Sequence, residues 1–490
     1  MNTQNPTTDT ASFDIGSLVQ VTPERPAHGG AMVARVGERV VFVRHAVVGE
    51  TALARITGRG PKGRYFFADV IAVDQPSPHR RPHPWEPADA LAQENPLGGM
   101  EYGHLLPATQ RDYKRQVLAE QLVRLGGLSA EHPLITQLQV QELPLEGEGP
   151  ADLGWRTRVH YTVERESGKI AMFRHSSSEP VPLESFPLAD MRLQELELHK
   201  LTLEGLARLD AAVSASNMVT LVFWVSAQTR PTDVAPAIED QCRKLWGSLE
   251  DRQITLIFRP EKQGGRKRGT KPQEVVLGAG NTELLETATV YAQDFYWLVD
   301  ATGFWQIHRS APEVLGNAVL EATKLKKGMT VYDLYAGAGL FTALAADAVG
   351  DKGTVLSVEG SATTHRNALT NFAAQGPSRT HRSERTSVRL ERGDVSAVLG
   401  KLGPQALAGR FPTPDLVICD PSREGAGKKV MEQVNELNPA TIVYVACDPA
   451  ALGRDTGYLG QAGWKLASVQ GFDMYPNTHH VEALAVFTRK

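Results

Sequence analysis

Five polar side chains lie at the ends of five predicted strands in the last third of the sequence, and one of them is a thiol. They belong to the segments VYDLY (Asp333), VLSVE (Glu359), VRLERGD (Asp394), LVICD (Asp420) and IVYVAC (Cys447). Amphipathic stretches of helical length separate most of these apolar runs, which predicts a parallel, doubly wound sheet. Ligands of such sheets bind in the crevice beyond the carboxyl ends of the strands. The sequence therefore predicts a cleft that holds a nucleotide-type cofactor beside a nucleophile.

A glycine-rich turn supplies the cofactor half of this cleft. Gly337 and Gly339 follow the first of these strands and precede the apolar helix LFTALAADAV. Glycines let the backbone pass close to a ligand, and the helix N-terminus offers free N–H groups. Glu359, at the end of the next strand, can accept hydrogen bonds from both ribose hydroxyls. Because the third glycine of a dinucleotide site is missing, the pattern favours S-adenosylmethionine over NAD.

Asp394 follows the third strand and has two interpretations. It is placed to accept a hydrogen bond from the adenine amino group of the cofactor. It also stands directly before a predicted helix, where Asp is common as an N-cap for structural reasons alone. The sequence leaves both interpretations open.

Two cysteines of the predicted sheet differ in their surroundings. Cys419 lies within its predicted strand, where a buried thiol packs as a small apolar side chain and is unreactive. Cys447 ends its strand and is followed by Asp448-Pro449 and a predicted helix start. A helix N-terminus lowers the pKa of a thiol from about 8.5 and favours the nucleophilic thiolate. The sequence therefore predicts that Cys447 is the nucleophile.

The C-terminal segment FDMYPNTHHVEALAVF contains Tyr475, His479, His480 and Glu482 before a final strand. Adjacent histidines in an extended segment point to opposite sides, and no further ligand motif accompanies them, so zinc is discounted. Glu482 is predicted to act as a general base. The alternative is an ordinary charge at the start of a strand.

The composition is that of a globular protein without a membrane anchor or a secretory signal. The 490 residues predict about three domains, and the net charge of −4 says little about partners. Three cysteines without pairing or metal spacing indicate a reducing, cytoplasmic setting. The start of the chain lacks an apolar signal core, and no apolar run reaches the ~20 residues of a membrane helix.

Composition shifts divide the chain into four regions. Residues 1–12 are polar and predicted to be disordered. Residues 13–75 contain several short, closely spaced strands, which predict a small β-barrel of the OB type, a frequent oligonucleotide-binding module. Residues 76–302 are predicted to form a linker and a central α+β domain, and residues 303–490 the doubly wound domain. The basic run Lys262–Lys271 is either a solvated loop or a contact for a phosphate backbone.

Several motifs of the last domain together resemble those of the RNA uracil-C5 methyltransferase family, which makes 5-methyluridine in transfer or ribosomal RNA. They are Asp420-Pro-Ser-Arg423-Glu-Gly425, Cys447-Asp-Pro with Arg454-Asp455, and Asp473-Met-Tyr-Pro-Asn-Thr-His-His-Val-Glu482. The match covers about residues 290–490. The N-terminal barrel also resembles the TRAM domain that many members carry.

The resemblance implies a covalent mechanism. Cys447 would add to carbon 6 of uracil, and carbon 5 would then take the methyl group of S-adenosylmethionine. Glu482 would remove the proton from carbon 5, and Asp420 would orient the cofactor or the base. Gln306 and Tyr335, like Glu359, match family contacts to the cofactor. The uridine must unstack to enter the cleft, which favours loop uridines over paired ones.

The chain departs from the family pattern at several positions. Four residues differ from those that many members share: Leu340, His308, Ser422 and Asp448. None of these replacements removes an atom that the mechanism needs. Several relatives hold an iron–sulfur cluster with four cysteines near residues 75–105. With three cysteines in all, this chain cannot hold that cluster.

The sequence and the resemblance together predict a cytoplasmic, monomeric RNA uridine C5-methyltransferase that binds neither DNA nor membranes. Ribosomal RNA is slightly favoured over transfer RNA, because an added barrel suits a larger structured target. Two alternatives are a non-catalytic RNA-binding or assembly protein on the same scaffold, and an RNA cytosine-C5 methyltransferase.

Overall fold

The chain divides into two compact units. The computed structural model describes residues 13–145, 150–175, 177–261, 274–379 and 387–489. Unit 1 comprises Met1–Leu118, Arg174–Ser177 and Tyr475–His480, and unit 2 comprises Ala119–Phe173, Ser178–Met474 and Val481–Lys490. The predicted tail at 1–12 and the basic run Lys262–Lys271 lie outside the described residues. The predicted domain boundaries at residues 75 and 302 stay predictions.

Unit 1 is built on one six-stranded sheet. Its strands are β1 (Leu18–Val21), β2 (Pro23–Pro26), β3 (Met32–Val36), β4 (Arg39–Arg44), β5 (Thr51–Arg59) and β6 (Tyr65–Gln75). They lie in the order β1-β5-β6-β4-β3-β2, and β4 pairs with β6 in parallel. Alternate residues of β5 and β6 are buried in a core of mainly Val, Ala and Ile side chains. The residues between them face outwards, as the period of two requires.

Unit 2 contains the remaining strands of the described residues. The helices of both units are given after these strands, in chain order. The strands are β7 (Val140–Glu142), β8 (Arg158–Val163), β9 (Ile170–Phe173), β10 (Pro180–Pro182), β11 (Leu206–Val213), β12 (Val219–Val225), β13 (Ile254–Pro260), β14 (Val275–Gly278), β15 (Glu283–Val290), β16 (Gln293–Asp300), β17 (Thr330–Leu334), β18 (Thr354–Glu359), β19 (Ser387–Arg392), β20 (Leu416–Cys419), β21 (Thr441–Ala446), β22 (Trp464–Asp473) and β23 (Glu482–Arg489). The helices are α1 (Pro107–Arg124), α2 (Pro133–Thr136), α3 (Met191–Gln194), α4 (Pro231–Trp246), α5 (Ala311–Thr323), α6 (Leu340–Val349), α7 (Ala362–Asn371), α8 (Val395–Leu407), α9 (Gly427–Leu437) and α10 (Pro449–Gln461).

A seven-stranded sheet forms the central part of unit 2. Its order is β10-β9-β8-β11-β12-β13-β14, and β12 and β13 are parallel because α4 connects them. The hairpin β15–β16 follows, and Leu284 and Ala301 of this region share a buried cluster with Val222 and Ile257 of the sheet. This part of the chain contains both helices and strands, and its separation as a central α+β domain stays a prediction.

An eight-stranded sheet forms the last part of unit 2. Its order is β19-β18-β17-β20-β21-β23-β22-β7, with parallel pairing from β19 to β21. β20 is buried along its whole length, as is typical of a central parallel strand. Strand order reverses between β17 and β20, which places a ligand crevice beyond their carboxyl ends. The predicted doubly wound α/β fold is confirmed. No helix in the described ranges is long and apolar enough to cross a membrane.

Two buried histidines make the stability of the fold sensitive to acid. Burial lowers the pKa of His45 from 6.5 to about 4, and the pKa of His308 to about 3. Both stay neutral in the folded protein while the unfolded chain binds protons below pH 6.5. Stability is therefore fully present above that pH and is lost as pH falls towards 4. The shift of His45 alone corresponds to about 3 kcal/mol.

We expect the variant His45→Asn to flatten this dependence. His45 has a left-handed backbone with φ of 60°, which Asn tolerates better than most residues. Denaturant unfolding of wild type and variant at pH 7 and pH 4.5 measures the difference. The same loss of stability in both proteins would contradict the assignment to His45.

Candidate active site

The last sheet brings three predicted site residues together at the ends of its strands. Asp420 follows β20 and Cys447 follows β21. β23 runs antiparallel to β21, with Ala446 opposite Ala483, so Glu482 at the start of β23 lies across from Cys447. The predicted nucleophile and the predicted base therefore face each other from neighbouring strands.

The glycine-rich turn after β17 has three residues with a left-handed backbone. Tyr335, Gly337 and Gly339 have positive φ values of 65°, 58° and 97°. The Gly337 N–H donates to Glu359 Oε2 at 2.8 Å, and the Ser361 N–H donates to Glu359 Oε1 at 2.6 Å. The carboxylate is thus fixed against the turn at the end of β18, and each of its oxygens has a second lone pair.

Four of the residues predicted to bind the cofactor line one narrow cleft. Gln306, Tyr335, Gly337 and Asp420 are among its walls, and the cleft encloses about 20 Å³. A nucleotide-sized ligand therefore requires some of the walls to move. Phe304 is part of the lining and 62% exposed, so its ring has room to do so.

Asp333 is a functional candidate to which the sequence assigned no role. Its side chain is fully buried at the end of β17, where Thr342 Oγ1 donates to Oδ2 at 2.5 Å. Oδ1 has no partner among the described residues. Burial, with a contribution from the Glu359 charge, raises the pKa of Asp333 to about 7. A buried oxygen of this kind suits a donor group of a ligand.

The environment of Cys447 differs from the prediction. Burial, the charge of Glu482 and the charge of Asp420 raise the pKa of this half-buried thiol to about 12, against a smaller lowering by Arg423. The predicted lowering by the helix N-terminus is therefore wrong for the free protein. α10 does begin at Pro449 as predicted. Burial and the two carboxyl groups outweigh the effect of its N-terminus on the thiol pKa.

Asp420 and Glu482 influence each other strongly. Glu482 is 3% exposed, and burial together with its charge raises the pKa of Asp420 well above the usual range. Because two adjacent carboxyl groups do not both ionise readily, loss of the proton from Asp420 is disfavoured beside Glu482. The site therefore holds two carboxyl groups side by side, next to the thiol.

Asp394 caps α8, since its Oδ1 accepts a hydrogen bond from the Ala397 N–H at 3.0 Å. This is the structural interpretation of the residue, and contact with an adenine stays a prediction. Asp448, one of the departures from the family pattern, has the same role in α10, where its Oδ1 accepts from the Ala451 N–H at 2.8 Å.

A buried carboxylate that the sequence gave no role holds the loop after Asp420. Asp455 is 2% exposed and accepts hydrogen bonds from the Ala426 N–H at 2.8 Å and from the Tyr444 hydroxyl at 2.5 Å. A side chain at Gly425 would lie 2.9 Å from Asp455 Oδ2, so only glycine fits there without movement. The sequence signal was the Arg454-Asp455 pair of the family motif.

The C-terminal segment is divided between the two units. Tyr475, His479 and His480 belong to unit 1, whereas Glu482 belongs to unit 2. His479 Nδ1 lies 3.7 Å from Glu101 Oε2 in unit 1. Among the described residues, no group of three or more His, Cys, Asp and Glu side chains could hold a metal ion.

Comparison with known proteins identifies the family. The family model described as tRNA (Uracil-5-)-methyltransferase matches residues 270–490. An uncharacterized RNA methyltransferase of Streptomyces avermitilis is 36% identical over 94% of this chain and 95% of its own length. A second one, from Streptomyces coelicolor, is 32% identical over 96% of this chain and 93% of its own length. The chain belongs to the RNA uracil-C5 methyltransferase family. It is an S-adenosylmethionine-dependent RNA methyltransferase.

A solved structure confirms the methyltransferase fold. The tRNA (uracil-54, C5)-methyltransferase of Pyrococcus abyssi, crystallised with S-adenosyl-L-homocysteine, aligns with a TM-score of 0.61. The alignment covers 96% of this chain and 100% of that one, at 17% sequence identity. The likeness therefore extends over both units.

Some groups at the end of β17 and β18 have the chemistry that an adenosyl ligand requires. Gly337 and Gly339 lack side chains, so the backbone of the turn can lie close to a ligand. Glu359, fixed at the end of β18, has lone pairs that suit ribose hydroxyls. Contact of these residues with S-adenosylmethionine stays a prediction.

The turn provides a prediction for the methyltransferase. A Cβ at Gly339 would lie 2.5 Å from the Phe372 ring, and its φ of 97° is strained for any other residue. We expect Gly339→Ala to lower the free energy of unfolding by about 3 kcal/mol, from overpacking and backbone strain together. The Gly339→Ala variant should also lose binding of S-adenosylmethionine.

Gly337→Ala is the matched control for Gly339→Ala. Its φ of 58° lies in the left-handed region, and the nearest atom to a new Cβ is Phe304 Cδ1 at 3.9 Å. We therefore expect a loss of only about 1–2 kcal/mol. Thermal unfolding and calorimetric titration with S-adenosylmethionine compare the two. Equal effects would contradict the importance of the Phe372 contact.

Proposed function

We propose that the protein methylates carbon 5 of a uridine in structured RNA through a covalent adduct with Cys447. The observation that carries this proposal is the pairing of β21 with β23, which sets Glu482 across from Cys447, with Asp420 close to both. A nucleophile, a general base and a group that orients the uracil are the three functions that the reaction needs.

The first step is addition of the Cys447 thiolate to carbon 6 of the uracil. A new sulfur–carbon bond forms, and the electrons of the ring double bond become available at carbon 5. The thiol must lose its proton to water beforehand, because only the thiolate is nucleophilic and Glu482 must be unprotonated to accept the proton of carbon 5. Its high pKa in the free protein means that the thiolate forms only when the charges around it change.

S-adenosylmethionine, when bound, would supply the methyl group for carbon 5 and leave as S-adenosylhomocysteine. Gln306, Tyr335, Gly337, Gly339, Glu359 and Asp394 are the residues proposed to hold it. The positive charge of its sulfonium would oppose the effect of the carboxyl groups on the thiol pKa.

The last step removes the proton from carbon 5. Glu482 accepts this proton, the electrons restore the double bond between carbons 5 and 6, and the bond to Cys447 breaks. Asp420 orients the uracil by a hydrogen bond. Cys447 thus acts as the nucleophile, Glu482 as the general base and Asp420 as the group that orients the uracil.

The RNA class is the finer part of the proposal. Ribosomal RNA was slightly favoured from the added barrel. The matching family description and the Pyrococcus abyssi structure both name transfer RNA, and that structure aligns with 96% of this chain. We therefore propose transfer RNA as an equal target beside ribosomal RNA.

The proposal is tested with a tritiated methyl donor and total RNA from a strain that lacks the gene. Label in 5-methyluridine after nucleoside digestion supports it, and the size of the labelled RNA assigns the substrate class. Label in 5-methylcytidine would replace it by cytosine methylation. RNA binding without any label would replace it by the non-catalytic RNA-binding protein.

A further inference from the structure

We propose that Arg158, in the seven-stranded sheet of unit 2, is a positioning residue for S-adenosylmethionine. It lies at the start of β8, is 4% exposed and binds the turn at residues 300–303. Phe304 and Gln306 follow that turn and line the cofactor cleft, whereas Arg158 lies outside the lining. Arg158 therefore acts on the cofactor only through the turn. The inference rests on the proposed function, in which Gln306 holds the cofactor.

Two nitrogens of the Arg158 guanidinium bind different groups. Nη1 donates to the carbonyl oxygens of Asp300 at 3.1 Å, Ala301 at 3.2 Å and Gly303 at 3.0 Å. Nη2 donates to Glu286 Oε1 at 3.2 Å. Because the guanidinium is planar and rigid, these bonds fix the three carbonyls relative to Glu286. An ammonium is a single point of charge on a flexible stem and cannot reproduce this fork.

The acidic partner of Arg158 is itself held in place. Glu286 is 5% exposed, and its Oε2 accepts a hydrogen bond from the Ala215 N–H at 3.2 Å. The ion pair between Arg158 and Glu286 is therefore buried. A buried ion pair adds little net stability compared with apolar side chains of similar volume. This favours a role of Arg158 in the geometry of the turn over a role in stability alone.

The turn has a second attachment, on the side of α7. Asn367 of that helix accepts a hydrogen bond from the Asp300 N–H through Oδ1 at 3.2 Å. Within the turn, Asp300 Oδ1 accepts from the Thr302 N–H at 2.8 Å and from the Thr302 hydroxyl at 2.6 Å. α7 follows β18, the strand that ends at Glu359. When the fork of Arg158 is removed, the attachment to β8 is lost while the attachment to α7 stays.

The chain directly before β8 holds the other end of the cofactor segment. The Thr157 N–H donates to the Ile307 carbonyl at 2.8 Å, and the Thr157 hydroxyl donates to the same oxygen at 3.1 Å. The Arg309 N–H donates to the Trp155 carbonyl at 3.1 Å. Gln306 therefore lies between two points that are both attached to residues 155–158. Displacement of the turn at one of these points changes where the Gln306 amide lies in the cleft.

Calorimetric titration of the full chain with S-adenosylmethionine tests the inference. Arg158→Lys keeps a positive charge beside Glu286 but removes the fork. We expect it to raise Kd about tenfold, the effect of losing one good hydrogen bond to the ligand. An unchanged Kd in a folded Arg158→Lys protein would overturn the inference.

Gly303→Ala tests the same turn without a change at a buried charge. A Cβ at Gly303 would lie 3.2 Å from the Asp300 carbonyl oxygen and 3.3 Å from Asn367 Oδ1, so the turn must shift. We expect this variant to weaken binding of S-adenosylmethionine as well. If Arg158→Lys does not fold, a wild-type Kd in Gly303→Ala overturns the inference by itself.

Phe223→Leu is the matched control for a general loss of stability. Phe223 is fully buried in β12 of the same sheet and stacks on Phe258 with a centroid distance of 4.8 Å. We expect this variant to have a lower Tm and an unchanged Kd. The same weakening of binding in Phe223→Leu as in Arg158→Lys would assign the effect to stability and overturn the positioning role.

Hydrogen exchange of the free protein measures the attachment without a ligand. The amides of residues 303–309 should exchange faster in Arg158→Lys than in Phe223→Leu, and equal exchange would contradict the attachment. Neither experiment needs RNA, so the inference and the proposed function fail separately. Binding of S-adenosylmethionine that depends on Arg158, without methyl transfer to uridine by wild type, would overturn the proposed function and support the positioning role. Normal transfer with an unchanged Kd in Arg158→Lys would overturn the positioning role alone.

Discussion

Cys447→Ala is expected to reduce methyl transfer by roughly 10⁴-fold or more while RNA binding persists. Loss of a nucleophile in a covalent mechanism removes the whole reaction path, and such losses in other enzymes reach about 10⁶-fold. The fold should tolerate the change, because Cys447 is half-buried and alanine leaves only a small cavity. The measurement is the initial rate of tritium transfer to RNA, with RNA affinity determined in parallel.

Cys242→Ala is the matched control for this variant. Cys242 is fully buried in α4, and burial raises the pKa of its thiol to about 12, the same value as for Cys447. We expect Cys242→Ala to keep full activity, since it belongs to the central part of unit 2. A rate for Cys447→Ala within about tenfold of wild type would refute the covalent mechanism.

The position of Cys447 was predictable from the sequence, but the pKa of its thiol was not. The sequence located the residue correctly at the end of a parallel strand and before a helix. It did not reveal the electrostatic environment, because Asp420 comes from β20 and Glu482 from the antiparallel β23. A helix N-terminus contributes a modest stabilisation of a thiolate, whereas burial and two adjacent carboxyl groups oppose it more strongly.

The eight-stranded sheet was more predictable from the sequence than the contacts of Asn477 within unit 1. Apolar runs that end on polar residues indicate strands, and helices between them indicate parallel pairing. The position of Asn477 in unit 1 has no such local signal. Its N–H donates to Gln110 Oε1 at 2.7 Å, and its Oδ1 accepts from Arg81 Nη2 at 2.6 Å. Partners more than 350 residues away in the chain leave no periodic pattern.

A contact between two remote segments of unit 1 was unpredictable for the same reason. The His175 N–H donates to the Pro96 carbonyl at 3.4 Å, and Leu97 forms a bridge with Arg174, and backbone groups carry no sequence information. The rings of Phe42 and Phe67 were different. They stand at outward positions of alternating strands, so the sequence pattern contained them, although only the register placed them side by side.

Glu482→Gln is expected to trap the RNA on Cys447. Glutamine cannot accept the proton from carbon 5, so elimination should slow by roughly 10²- to 10⁴-fold while addition continues. The negative charge of Glu482 also raises the pKa of the Cys447 thiol, and its removal lowers that pKa. More thiolate is then present at a given pH. The variant should therefore accumulate an RNA–protein adduct that resists denaturation, seen as a shifted band on a denaturing gel.

Asp420→Asn distinguishes loss of the base from loss of a charge. Asp420 also raises the pKa of Cys447, so its removal should lower the thiol pKa in the same direction. Because Glu482 is still present, this variant should complete elimination and accumulate no adduct. The pH dependence of Cys447 alkylation by iodoacetamide reports the thiol pKa in each protein. Adduct in both variants would assign trapping to the electrostatic change, whereas adduct in Glu482→Gln alone would assign proton removal to Glu482.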